Sequence, residues 1–250
     1  QPAHATRDQV RSDLGVDHHG QLIQENTQQR RQHQCRDAAG ARVALLAQHE
    51  AALQQVVAGW PADWQARALC LPVNLLQPQA VQHASEQVLQ DWGRIDVAVH
   101  LAGGFTMGQG VHQSDFAAAL DHMLDLNVRT VVNSTAAVVP AMLAQGGGVV
   151  VNVGAASAGQ GAAHMGAYAA SKSALARLTE SLAAELKGQG VRVNAVLPSI
   201  IDTPANRAAM PDADISRWVP PVQLAEVIAF LASDAAGAIH GAALPVTGRL

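Results

Sequence analysis

From Ala41 onward, short β-branched and aliphatic runs alternate with longer segments whose apolar residues recur every three or four positions. Arg42 to Leu46 (RVALL) predicts a strand, and His49 to Trp60 the helix that follows it. Ala68 to Val73 predicts the next strand, with a helix from about Gln79 to Trp92. Ile95 to Leu101 (IDVAVHL) reads as a buried strand that stops before Gly103-Gly104. Ser114 is placed to cap a long helical region that runs, with a break, to about Gln145. Gly148 to Val153 (GVVVNV) is the most hydrophobic strand, followed by a helix over Ala167 to Lys187 and a strand over Val191 to Leu197 closed by Pro198. Val222 to Ser233 predicts a last helix and Ala243 to Val246 a last short strand. Strands alternating with long helices build βαβ units, which predicts an α/β fold, a doubly wound parallel sheet flanked by helices in a single domain. Ligands of such sheets bind at the carboxyl ends of the strands. Chemistry is therefore expected just after Leu46, Val73, Leu101, Val153 and Leu197.

The first forty residues break the pattern. Glutamines from Gln1 to Gln34 crowd into them, beside the pairs His18-His19 and Arg30-Arg31, and no apolar strand followed by a glycine-rich turn is present. The expected organisation is an anomalous segment over 1–39 in place of the usual first βα unit, and one folded domain over 40–250.

Composition narrows the class. The 250 residues are 49% hydrophobic, enough for the core of one such domain. A net charge of -4 gives no basic footprint for nucleic acid or an anionic membrane. No run of apolar residues is long enough to span a bilayer, and the N-terminus lacks the order of a secretory signal. Cys35 and Cys70 have no metal-site or disulfide spacing, and His18-His19 has no partner ligands, so no metal is expected. A soluble, reduced, cytoplasmic enzyme acting on a small molecule is the expectation.

The chemistry centres on Tyr168 and Lys172, a Y-x-x-x-K pair on a predicted helix. Four residues apart, both side chains lie on one helical face. A phenol titrates near ~10, and a nearby ammonium favours the phenolate, which would make Tyr168 a usable general acid/base. Taken alone the pair also fits a solvated helix face. Its surroundings separate the two readings. Ala167 to Leu175 (AYAASKSAL), the hydrophobic strand before it, Arg192 to Pro198 (RVNAVLP) and D-x-N at Asp125 to Asn127 together resemble the short-chain dehydrogenase/reductase family, over about Ala41 to Gly248.

That resemblance implies a Rossmann-type sheet, hydride transfer with NAD or NADP, and a homodimer or homotetramer. The family's proton donor falls on Tyr168, its ribose-binding lysine on Lys172, and its helix-break asparagine on Asn127. On the cofactor side, Ala102 and Gly103 stand in the family's small-residue turn, and Asn74-Leu75 after the third family strand near adenine. Pro198, Ile200 and Thr203 (PSIIDT) stand where the family contacts carboxamide and phosphates. Ala47, followed by Gln48, holds the place of the acid that selects NAD. Without that acid nothing repels a 2′-phosphate, and no arginine binds it, so NADP is slightly favoured.

Two departures matter. The family's carbonyl-binding serine falls on Ala155, and Ser157, two residues later, needs a shifted turn to replace it. Pro198 to Trp218 and Ala102-Gly103-Gly104 with its following aromatic resemble the dihydropteridine reductase branch, which also lacks that serine. This implies a pterin-like or quinonoid substrate, the alternatives being a small ketone or 3-oxoacyl thioester, or dinucleotide binding without turnover. The glycines of the family's phosphate turn fall around Ile23, Thr27 and Gln29, none of which is glycine. A phosphate turn needs glycine so that backbone can approach the pyrophosphate. Residues 1–39 are accordingly read as frame-shifted, chimeric or misassigned text, the alternative being a degenerate site behind a Gln-rich tail. The alanine-rich helices Ser114 to Gln145 and Ala167 to Lys187 are apolar on several faces and are expected to pack against symmetry mates.

Overall fold

The computed structural model describes residues 40–249. The readings placed on 1–39, including His18-His19, Cys35 and the phosphate-turn positions, lie outside them. Valine-rich runs of four to eight residues form six strands among the described residues: β1 (Val43–Ala47), β2 (Ala68–Pro72), β3 (Val97–His100), β4 (Gly148–Val153), β5 (Val191–Pro198) and β6 (Ala243–Val246). The longer periodic segments form α1 (Glu50–Ala58), α3 (Pro78–Trp92), α4 (Phe116–Leu124), α5 (Thr130–Ala144), α6 (Gly166–Glu185) and α8 (Pro221–Ala232). Two short helices, α2 (Ala62–Gln65) and α7 (Pro204–Ala209), were not foreseen. α7 opens on Pro204, whose fixed φ suits a first helical turn, and α2 follows Pro61, but neither is long enough to show a 3.6-residue period.

The start of α4 differs from expectation. Ser114 does not cap it; the residue before Phe116 is Asp115. Gln113 closes the preceding turns instead, its side chain accepting from the Gly110 amide at 2.6 Å and its carbonyl from Phe116 N at 3.2 Å. The predicted break is a turn of π-helix, Asp125–Arg129, between α4 and α5.

Every strand pair is parallel. β4 is apolar on both sides because both sides are covered. Val151 and Val153 meet Leu224, Ile228 and Leu231 of α8, while Val150 meets Met142 of α5 and Ala183 of α6. A third cluster joins Val81, Ala84 and Val88 of α3 to Leu71 of β2, and a fourth joins Leu45 to Leu53, Trp60 and Trp64. The described residues do not form one continuous ladder. They make the pair β1-β2 and the four-stranded set β3-β4-β5-β6. Between β1 and β3 lies a cavity of about 560 Å3 whose walls include both strands.

Candidate active site

Helix α6 is built from alanine, serine and leucine, so it sits close to the sheet and carries its two functional side chains into the interior. Lys172 is 6% exposed. Its Nζ donates to the Val153 carbonyl at the end of β4, at 2.9 Å. Burial disfavours the charged form and brings its pKa down to about 8. Tyr168, one turn earlier, is only half-buried. Burial raises its pKa, and a hydrogen bond with the Ser157 side chain pulls it back. The expected lowering by the ammonium is not what this structure has. Desolvation of the phenol sets the direction, and the ammonium donates to the Val153 carbonyl.

Ser157 sits in a 3-10 turn, Ala156–Gly159, that leaves β4. Ala155 just before it is buried and has no donor to offer. The turn is tied to α6 because Ser173 Oγ donates to the Ala158 carbonyl at 2.6 Å. A shifted turn therefore brings a serine hydroxyl to the phenol from two residues beyond the expected position. Sequence reading had Ser157 as a candidate but not Ser173, whose i+1 spacing from Lys172 carries no signal of its own.

Asn127 occupies the middle of the π-turn and is fully buried. Its Oδ1 accepts from Gly104 N at 2.9 Å, and its Nδ2 donates to Gly104 O at 3.1 Å and Ser171 Oγ at 3.0 Å. The amide thus clasps the loop after β3 to the active-site helix. Gly103 is the point of closest approach, since a Cβ there would stand 2.6 Å from Asn127 Oδ1 and 3.3 Å from Lys172 Nζ.

The same loop carries an aromatic lid edge. Phe105 meets Tyr168 edge to face with ring centroids 4.9 Å apart. Phe105, Met107 and Val111 are all more than half exposed, an apolar rim beside the phenol. Gly108 N donates to His164 O at 2.9 Å and so links the rim to the turn before α6. His164 has a φ of 63° and is exposed. Trp218 is buried packing, 3% exposed, and is no lid.

The cofactor-side positions divide into two groups. Ala47, Gln48, Asn74, Leu75, Ala102 and Gly103 all line the cavity between β1 and β3. Asn74 spends its Oδ1 on Leu76 N at 3.0 Å, leaving its NH2 as donor, and Asn133 holds the Leu75 carbonyl at 2.9 Å. Pro198 ends β5, Ile200 and Thr203 follow it, and none of the three belongs to that wall. Thr203 caps α7, accepting from Asn206 N at 3.1 Å, so its hydroxyl proton is still available. A dinucleotide fits these residues in part. Small side chains at the strand ends leave room for adenosine, and Gly103 joins that room to Tyr168 and Lys172. No glycine-rich phosphate turn stands among the described residues.

His100, in the strand before the small-residue turn, is a member of this region that sequence reading left without a role. Its Nδ1 lies 2.8 Å from Asn152 Oδ1, and Asn152 Nδ2 donates to Thr179 Oγ1 at 2.8 Å. Burial lowers its pKa, and through Asn152 the ring braces β3 against β4 and α6. Among the described residues no cluster of His, Cys, Asp and Glu can hold a metal ion. No described helix is long and apolar enough to cross a membrane.

The family model for short chain dehydrogenases matches residues 35–214. A 3-oxoacyl-(acyl-carrier-protein) reductase of Thermotoga maritima is 33% identical over 186 residues, 71% of this chain and 75% of that protein. Among solved structures, 3-ketoacyl-(acyl-carrier-protein) reductase of Brucella melitensis in complex with NADH superposes with a TM-score of 0.76 at 27% identity, over 88% of this chain and 92% of that one. L-sorbose reductase of Gluconobacter frateurii with NADPH and L-sorbose superposes with a TM-score of 0.76 at 25% identity, over 87% and 89%.

Proposed function

The chain belongs to the short-chain dehydrogenase/reductase family, an oxidoreductase with a nicotinamide cofactor, and on that premise we propose that it reduces the carbonyl of a small ketone or 3-oxoacyl thioester. One observation carries the choice of substrate: the Ser157 hydroxyl stands beside the Tyr168 phenol although Ala155 has no donor. In this reading Ser157 donates a hydrogen bond to the substrate oxygen, and Tyr168 gives that oxygen its proton as carbon is reduced. NAD(P)H, when bound, supplies the hydride. Lys172 would hold the ribose hydroxyls, and its ammonium would oppose the raised pKa of the phenol. Asn127 keeps the Gly103-Gly104 loop in place above it.

Ala102, Gly103, Asn74 and Leu75 would hold adenosine, and Pro198, Ile200 and Thr203 the carboxamide and phosphate side. With Ala47 and Gln48 at the ribose, NADP is preferred over NAD, because no carboxylate repels the 2′-phosphate. The apolar rim of Phe105, Met107 and Val111 suits a substrate with an apolar body. A flat quinonoid ring such as a pterin is the second reading, favoured by Phe105 standing edge-on to Tyr168, where a flat substrate can pack.

The same proposal takes 40–250 as the functional domain and 1–39 as no part of it. It takes the enzyme as cytoplasmic, in keeping with the unpaired thiol of Cys70, and as a homodimer or homotetramer joined through α4, α5 and α6. Val132 and Leu178, 47% and 41% exposed on two of those helices, are apolar residues that such an interface would cover.

The test is a fluorescence titration with NADPH and NADH, followed by turnover assays on ketones, a 3-oxoacyl thioester and a quinonoid dihydropterin. Ketone turnover with NADPH, lost in Ser157→Ala, is the expected result. Turnover of the pterin alone, unaffected by Ser157→Ala, establishes the second reading, and cofactor binding without turnover of any substrate overturns both.

A further inference from the structure

Two neighbouring residues of α6 grip the segment that leaves β4. Lys172 Nζ donates to the Val153 carbonyl at 2.9 Å, and Ser173 Oγ donates to the Ala158 carbonyl at 2.6 Å. Consecutive residues of a helix point about 100° apart, so the pair can hold two ends of a chain that crosses α6. Between those two carbonyls lie Gly154 to Ser157. Gly154 is also fixed to β5, its N donating to Val196 O at 2.9 Å, and a Cβ there would stand 2.6 Å from Leu197 Cδ2. The start of the segment is thus held from two directions.

Its end carries Ser157. Ala156–Gly159 is one turn of 3-10 helix, closed by Ala158 N on Ala155 O at 3.0 Å. The hydrogen bonds of so short a turn have poor geometry, so outside partners decide its shape. Residues 159–164 just beyond it are exposed, and Cβ atoms at Gly159 and Gly161 would meet nothing within 4 Å. Support for the turn therefore comes from the α6 side. A helical hydroxyl ordinarily returns to its own helix three or four residues back, as Ser171 does to Tyr168 O and Thr179 to Leu175 O, both at 2.8 Å. Ser173 bonds instead across to the turn, 15 residues away.

The inference rests on the reading of Ser157 as the donor beside the Tyr168 phenol. We infer that Ser173 is the positioning residue of that donor: its hydroxyl sets the turn so that Ser157, two residues past the buried Ala155, reaches the phenol and the substrate oxygen. Ser173 acts through the turn and takes no part in the proton transfer.

Tyr168 is the one tyrosine of the 250 residues, so ultraviolet tyrosinate absorbance titrates it alone, without substrate or cofactor. Stopped-flow pH jumps on the full chain keep the folded protein in view. The Ser157 hydrogen bond lowers the phenol pKa, so Ser157→Ala should raise it. Ser173→Ala should raise it too, and the double variant no further than Ser157→Ala alone, the mark of two residues acting as one unit. Turnover of cyclohexanone with NADPH should fall by about tenfold or more in Ser173→Ala, as for a misplaced oxyanion donor, with KM for NADPH unchanged. Ser173→Thr should keep the parent values and the near-isosteric Ser173→Val lose them. An unmoved phenol titration in Ser173→Ala, beside a raised one in Ser157→Ala, overturns the proposal. Equal behaviour of the Thr and Val variants overturns it as well, because packing would then suffice. If Ser157→Ala itself leaves the titration unmoved, the donor reading fails and takes the proposal with it, a result distinct from the first two.

Discussion

The two sides of the sheet are built to different standards. Around β4, β5 and α6, each polar side chain that enters the interior has a partner: Lys172 on Val153, Asn127 on Gly104 and Ser171, Asn152 on His100 and Thr179. Around β1 and β2 the packing is apolar, and among the described residues this pair is two strands wide. A two-stranded ladder gains little stability by itself, so this half depends on its packing against α1 and α3. Proton transfer needs only the well-built side. In the proposed reading, holding a dinucleotide draws on both, because Ala47, Asn74 and Leu75 come from one side and Gly103 and Lys172 from the other. The comparison teaches that the two functions can fail separately.

The largest expected effect strikes the well-built side alone. Tyr168→Phe keeps the ring packed and removes the proton donor, so turnover should fall by at least ~10² with nucleotide binding nearly unchanged. Steady-state rates within roughly twofold of the parent, far short of an acid–base contribution, would break the comparison at its strongest point. Ser157→Ala should cost about 10² in kcat on ketones, the usual loss for one donor to a developing oxyanion. It should also move the alkaline limb of the pH profile upward, since the lost hydrogen bond is the one that lowers the Tyr168 pKa. Ala155→Ser in that background should restore part of the rate.

Lys172 joins the two sides, and its signature is a pH dependence. The folded protein releases its proton near pH 8, whereas an unfolded chain keeps it up to the ordinary value of 10.5. Between those values the unfolded chain binds more protons, so this group's contribution raises stability as pH increases through the window. Below it the burial cost is fully present. Urea unfolding of the parent and Lys172→Met should reveal the difference, about 3 kcal/mol at most, together with weaker nucleotide binding in the variant. Equal pH slopes would mean that the ammonium is solvated.

Gly103→Ala tests the seam. The added methyl would meet Asn127 Oδ1 at 2.6 Å, and overpacking of this kind costs about 1–3 kcal/mol, read as a lower Tm with loss of both nucleotide binding and rate. The smallest effect belongs to the cavity side. Ala47→Asp should shift preference from NADPH toward NADH by roughly fivefold to tenfold, the scale of one charge repulsion near the surface, leaving the Tyr168 pH profile in place.

Local pattern was enough for most of the secondary structure. Strands and helices fell within a few residues of their predicted spans because β-branched runs and 3.6-residue periods are properties of neighbouring residues. The Y-x-x-x-K pair was legible for the same reason, four residues making one helical turn. The short turns were not, since α2, α7 and the 3-10 turn at Ala156–Gly159 have no period to read. The direction of the Tyr168 pKa shift was misjudged, because spacing along a helix says nothing about how deeply the phenol is desolvated.

The amino-acid sequence by itself determined the family, the parallel α/β plan and the identity of the groups that can carry a proton. Only the tertiary structure decided that Ser157 reaches the phenol across two residues of shifted turn and that Asn127 clasps the Gly104 loop to the active-site helix. Each of these joins residues more than ten positions apart in the chain. Such relations arise from packing and backbone pairing between elements, and no periodicity within one element records them.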